Sequence, residues 1–224
     1  MSAAPQDIAT IASSPLPMMG MLALLAVIPF AIVMLTSFSK IAVVLSLTRS
    51  AMGTQQAPPT LVLTGLAAVL SAHIMAPVAE RMVSIGKATY GDELTGARIV
   101  SSAEKVTLPL REFLTSHASP EELTRFAELA RELRPAETAT LVSEADLTVV
   151  VPAFVITELK EAFILGFLIF LPFLVLDMVI ANVLLALGMQ TLSPSQVSLP
   201  FKLLLFVSVD GWALLSRGLI LGYR

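Results

Sequence analysis

The chain has 224 residues, 56% of them hydrophobic and only 14% charged, with a mean hydropathy of +0.85. An ordinary soluble domain is about 45–50% apolar even with glycine counted, so this composition points to a membrane-associated protein. The absence of cysteine excludes disulfides, thiolate metal sites and cysteine nucleophiles, and a net charge of −3 gives no basic patch of the kind that nucleic acid requires.

Residues 1–15 read as a polar tail, with no basic residue ahead of the first apolar run, so a cleaved signal peptide is not expected. Apolar stretches follow at about 16–47 and 61–79, and residues 16–79 form the first unit. About 20 apolar residues cross about 30 Å of hydrocarbon as a helix, so both are long enough to span. Lys40 and Arg49 sit at their connection, with no acidic residue anywhere from Ile8 to Ala79. The positive-inside rule therefore puts that connection on the cytoplasmic side and the polar segment after it outside. Arg217 and Arg224, near the C-terminus, run mildly against this orientation. His73, alone on the second stretch, is expected to be a hydrogen-bonded interior residue. It lies far from His117, without metal-site spacing.

Residues 80–161 are a polar insert that holds 9 of the 14 basic and 14 of the 17 acidic residues. Its patterning predicts helices. Ser119 caps, Pro120 suits the first helical position, and Glu122 completes a capping box. Leu123, Phe126, Ala130 and Leu133 then share one face, Arg131 and Arg134 complement the helix dipole, and Pro135 stops the helix. Leu110, Phe113 and Leu114 mark a second amphipathic piece. The charges here read as a solvated face.

The last unit, 162–224, carries apolar stretches at 162–189 and 199–221 joined by a loop at 187–194. Pro29, Gly65, Pro77, Gly166, Pro172 and Gly211 punctuate the four stretches, which predicts bent, closely packed helices. The run 171–190 also carries Asp177 and Asn182, groups that are costly in lipid without partners. Lys40, Arg49, Asp177, Lys202 and Asp210, with Glu158 and Lys160 at the threshold of the third stretch, are the charged exceptions in apolar surroundings. Ionisable groups at membrane depth are usually paired or functional. Three readings compete: a proton relay, polar links within one chain, or pairs between copies in an oligomer. The absence of an internal repeat weakens the relay.

Four strings are recognisable: "TSFSKIAVVLSLTRSAMGTQQAPP" (36–59), "IMAPV" (74–78), "PAFVITELKEAFILGFLIFLPFLVLDMVIANVLLALGM" (152–189) and "LPFKLLLFVSVDGW" (199–212). They closely resemble the SctR/FliP family of the bacterial type III secretion and flagellar export apparatus, over residues 20–79 and 150–222. The insert at 80–149 matches only in position and polarity. The resemblance implies an all-α, non-enzymatic inner-membrane subunit without cofactors, whose four Pro/Gly-kinked apolar helices and polar insert assemble into a helical export gate. It implies a pentamer with SctS/FliQ-like and SctT/FliR-like small membrane proteins, beside SctU/FlhB-like and SctV/FlhA-like components. Unfolded proteins would pass through it, and the complex would project to the periplasmic side.

The same resemblance puts Glu158 and Lys202 at an interface between copies, where their charges would pair. On physical grounds, Lys40, Arg49, Asp177 and Asp210 are expected in a buried polar network, with the two aspartates accepting hydrogen bonds from backbone or from Lys/Arg of adjacent helices. The family's methionine-rich gasket corresponds to Met189, Gln190, Thr191 and Leu192, of which only the first is methionine here. The Thr-Gln-Gln-Ala-Pro-Pro loop at 54–59 favours the injectisome branch. The alternatives are a small proton-coupled transporter with Asp177 as its titrating group, or a simple membrane anchor for the insert.

Overall fold

The computed structural model of the chain describes residues 15–54, 57–90, 96–189 and 191–224. Its helices are α1 (Pro15–Met34), α2 (Phe38–Ala51), α3 (Thr60–Tyr90), α4 (Gly96–His117), α5 (Pro120–Glu132), α6 (Ala136–Ala139), α7 (Leu147–Ala186), α8 (Pro194–Ser208) and α9 (Gly211–Leu221), with no strand among the described residues.

The first apolar stretch is two helices. Pro29 sits inside α1 without ending it, and the chain instead turns by 63° at residues 35–37. Hydroxyl groups hold this turn. Thr36 Oγ1 donates to the Ile32 carbonyl at 2.6 Å and accepts from the Phe38 amide, while Ser37 and Ser71 bond each other across to α3. Side chains of this kind offer backbone groups an alternative to the helical ladder. The fourth stretch is likewise a bent pair, α8 and α9, meeting at 59°.

The other two stretches are single helices that overrun the composition boundaries at 80 and 161. α3 has 31 residues and α7 has 40, about 46 and 60 Å long at 1.5 Å per residue. Pro77 lies within α3, and Pro152 and Pro172 within α7. By length and composition, α3 and α7 are membrane-span candidates, and the two bent pairs bring the total to four.

α7 is the axis of the fold. α2 runs beside it in the same direction: Lys40 meets Glu158, Leu47 lies against Gly166, and Ala51 and Met52 pack with Phe173. The close approach is made by small residues, since Ala162 and Gly166 stand one turn apart on the seam. α8 and α9 return antiparallel along α7, with Lys202 at Asp177, Phe206 at Phe173 and Tyr223 at Glu158.

The insert folds onto the first part of α7. Val78, Phe113, Leu114, Ala118, Leu123, Val150, Ala153 and Phe154 form its core. α5 begins as expected, with Ser119 accepting from the Glu122 amide at 3.3 Å and Pro120 at the first position. The reciprocal half of the capping box is replaced: the Ser119 amide donates to Thr157 of α7, and the Glu122 carboxylate takes Arg125. Leu133, expected on the apolar face, is 87% exposed because α5 ends at Glu132 and the periodic position falls past its last turn. Ser119→Ala is expected to destabilise the chain by about 1 kcal/mol, read as a small drop in the thermal midpoint of the detergent-extracted protein.

Candidate functional site

Four of the seven charged exceptions, Lys40, Glu158, Asp177 and Lys202, gather into two clusters on α7. In the first, Lys40 of α2, only 4% exposed, bonds Glu158 Oε1 at 3.0 Å and Glu161 Oε2 at 2.6 Å. Glu158 is fully buried and also accepts from the Tyr223 hydroxyl on its second oxygen. The Lys40 ammonium lies 4.3 Å from the centre of the Tyr223 ring, adding a cation–π contact. His117 lines the same wall, 5.1 Å from that ring, with Nδ1 at 2.8 Å from the Phe113 carbonyl oxygen. One ammonium, two carboxylates and a phenol thus tie α2, α7 and the C-terminal end together.

In the second cluster, Lys202 of α8 bonds Asp177 Oδ2 at 2.6 Å, and Ser198 donates to Asp177 Oδ1 at 2.5 Å. Lys202 also donates to the Ala51 carbonyl at 3.4 Å, at the C-terminal end of α2, where the helix dipole favours a cation. Ser198 and Lys202 lie one turn apart on α8, so one face of that helix presents both donors to Asp177. The clusters are 19 residues apart on α7, about 28 Å, which is close to the thickness of a bilayer's hydrocarbon. Residues 162–176 between them carry no charge.

The sequence identified these charges but not their partners. Glu158 and Lys202 each have a partner within the chain, namely Lys40 and Asp177. Arg49 serves the α2–α3 connection, donating to Thr60 Oγ1 at 2.9 Å and to the Pro58 carbonyl. Asp210 was expected in a buried network but is exposed in the chain alone, with φ at 50° at the α8–α9 break. Asn182 and His73 are exposed as well, so the expected interior role of His73 does not hold within one chain: its face of α3 points away from the packed helices. Sequence reasoning missed Glu161, Ser198 and Tyr223. The spacing of Ser198 before Lys202 was a usable signal, whereas nothing local marks Tyr223.

At the far end of α7, Gly188 adopts φ 73°, and the Met189 and Gly188 amides close back on the carbonyls of Leu184 and Leu185. This is a Schellman end, and it requires the left-handed glycine. It fixes the take-off of the turn that leads to α8. Met189 and Leu192 are 44% and 42% exposed, and Thr191 is exposed; Gln190 lies outside the described residues. A cavity of about 410 Å³ opens beneath them, lined by Ala181, Leu184, Leu185, Met189, Leu192 and Pro194.

Residues 21–219 match the FliP family. The chain is 44% identical over 210 residues to the Yop proteins translocation protein R of Yersinia pestis, covering 90% of this chain and 93% of that protein. It is 43% identical over 204 residues to the hypersensitivity response secretion protein HrcR of Ralstonia nicotianae, covering 89% and 93%. The flagellar biosynthetic protein FliP of Caulobacter vibrioides is 41% identical over 207 residues, covering 92% and 76%.

Proposed function

Because the chain belongs to the FliP family, and is thereby a core subunit of the type III protein-export gate in the bacterial inner membrane, we propose that five copies of it form a ring-like assembly. SctS/FliQ-like and SctT/FliR-like small membrane proteins complete the gate, and SctU/FlhB-like and SctV/FlhA-like components adjoin it. Unfolded export substrates pass through its centre, and the assembly projects to the periplasmic side. The chain contributes packing and a passage, with no catalytic step of its own. Relatives named for Yop translocation and hypersensitivity-response secretion support the injectisome branch.

The observation that carries this reading is the exposed apolar surface of α7. Only 11% of its most apolar 18 residues is buried within the chain; Phe163, Phe167, Leu168 and Val175 face outward between the two charge clusters, and Met178 and Val179 do so just past the second. Such a surface asks for lipid or neighbouring protein. We assign contacts between copies to this face. Pairing of Glu158 with Lys202 across copies, which the family resemblance implies, requires each to leave a partner that already satisfies it in a buried site. The turn at 187–194 lines the constriction, where Met189, Gln190, Thr191 and Leu192 from several copies close around the passage. A proton-coupled transporter built on Asp177 draws no support from relatives named for secretion and flagellar biosynthesis.

Native mass spectrometry of the detergent-extracted chain, co-expressed with its small membrane-protein neighbours, tests the assembly. A ladder ending near five copies with smaller subunits attached is the expected result. A monomer or dimer without partners overturns it.

A further inference from the structure

The second charge cluster joins the α7–α8 hairpin to the end of α2, which lies more than 120 residues earlier in the chain. Lys202 bridges from α8 to Asp177 on α7 and to the Ala51 carbonyl that ends α2. Asp177 uses its other oxygen for Ser198, which is completely buried. The chain leaves α2 through Gly53 at φ 75°, and a Cβ there would stand 3.8 Å from the Lys202 ammonium. Gly53, where the chain leaves α2, therefore stands directly over the cluster. On one side, Ala51, Met52, Phe173 and Phe206 pack it closely.

Toward the turn, the packing is sparse. Among the described residues from 178 to 197, only Leu184 is buried, and the 410 Å³ cavity lies beneath the turn itself. Beyond Asp177 the end of α7 is an arm of nine residues, about 14 Å long, with little else within the chain to hold it. The cluster is the last tight restraint that the chain itself provides before the tip.

We propose that Asp177, Lys202 and Ser198 form a latch that locks the α7–α8 hairpin onto the end of α2 and so sets where the 187–193 turn stands. Asp177 and Lys202 are then positioning residues for the export constriction, a role that rests on the reading of that turn given above. Neutralising either charge frees the hairpin to rotate about its apolar contacts, and the tip moves without loss of the fold around the first cluster.

The chain has no cysteine, so Leu192→Cys places a unique thiol on the turn. The full chain is co-expressed with its partner membrane proteins, and the labelling rate by a maleimide is measured on the assembled complex. Lys202→Met and Asp177→Asn are each expected to raise that rate about tenfold, as a local opening would. The double variant should label no faster than either single one, because both break the same link. Lys202→Arg should stay within about twofold of the parent, since the cation and its donors remain. Unchanged rates in the single variants overturn the latch. So do effects that multiply in the double variant, or a Lys202→Arg chain that labels as fast as Lys202→Met.

If Lys202→Met fails to assemble, Ser198→Ala carries the same test, with about a threefold rise expected from the loss of one hydrogen bond. Protection of Cys at position 192 by a stalled export substrate is scored separately. Loss of latch control with protection intact removes the latch alone. Latch control without protection removes the constriction reading and keeps the latch.

Discussion

Lys40→Met is expected to lower the stability of the chain by about 3–5 kcal/mol, the range for removing one partner of a buried ion pair. For a chain of this length that is a fall in thermal midpoint on the order of 10 °C. The loss arises from what remains. Glu161 is half exposed and can turn to water, but Glu158 has no exposed surface and keeps only the Tyr223 hydroxyl as a partner. An uncompensated buried carboxylate is the costly species. Adding Glu158→Gln to Lys40→Met should therefore recover about 2 kcal/mol, since the neutral amide needs no counter-charge. Glu161→Gln alone should cost under about 1 kcal/mol, as exposed pairs do. A Lys40→Met chain that melts with the parent, or a double variant no better than the single, would remove the cluster's structural role.

The parts of this fold that were legible in the sequence are those governed by neighbours along the chain. The Ser119-Pro120 start of α5 is one, and the buried Phe113 and Leu114 of α4 are another, because capping and helical periodicity act within a few residues. The charged exceptions were legible as a set, since their cost in apolar surroundings marks them wherever they stand. Their partners were not. Lys40 and Glu158 are 118 positions apart, and only the parallel course of α2 along α7 brings them together. The bend at 35–37 was hidden for a different reason. Pro29 offered the obvious breaking point, while the turn is held by its own hydroxyls and by Ser71 of α3, which the sequence does not show to be adjacent. The export function itself was legible through the strings at 36–59, 152–189 and 199–212, which carry a family resemblance that composition alone does not provide.

Gly166→Leu is expected to cost about 2–3 kcal/mol or more through overpacking, and to do so at a site that carries no charge. A Cβ at Gly166 would fall on Leu47 Cδ1 and 3.0 Å from Leu47 Cβ, so the first added carbon displaces the Leu47 side chain and the rest of a leucine forces α2 away from α7. In lipid or within a protein assembly, helix contacts depend on close packing more than on the hydrophobic effect, so a wedge in this seam is not relieved by burying its extra methyl groups. Gly166 stands eight residues from Glu158 and eleven from Asp177, between the two charge clusters. α2 reaches both, through Lys40 and the Ala51 carbonyl. A wedge between the clamps strains each of them, and the thermal midpoint of the extracted chain should fall together with the yield of assembled gate. Leu47→Ala opens space where the new side chain would sit, and it should restore at least half of the lost stability when combined with Gly166→Leu. If the combined variant is no more stable than Gly166→Leu, the seam between α2 and α7 is not what holds the clusters in register, and the two clamps must act independently.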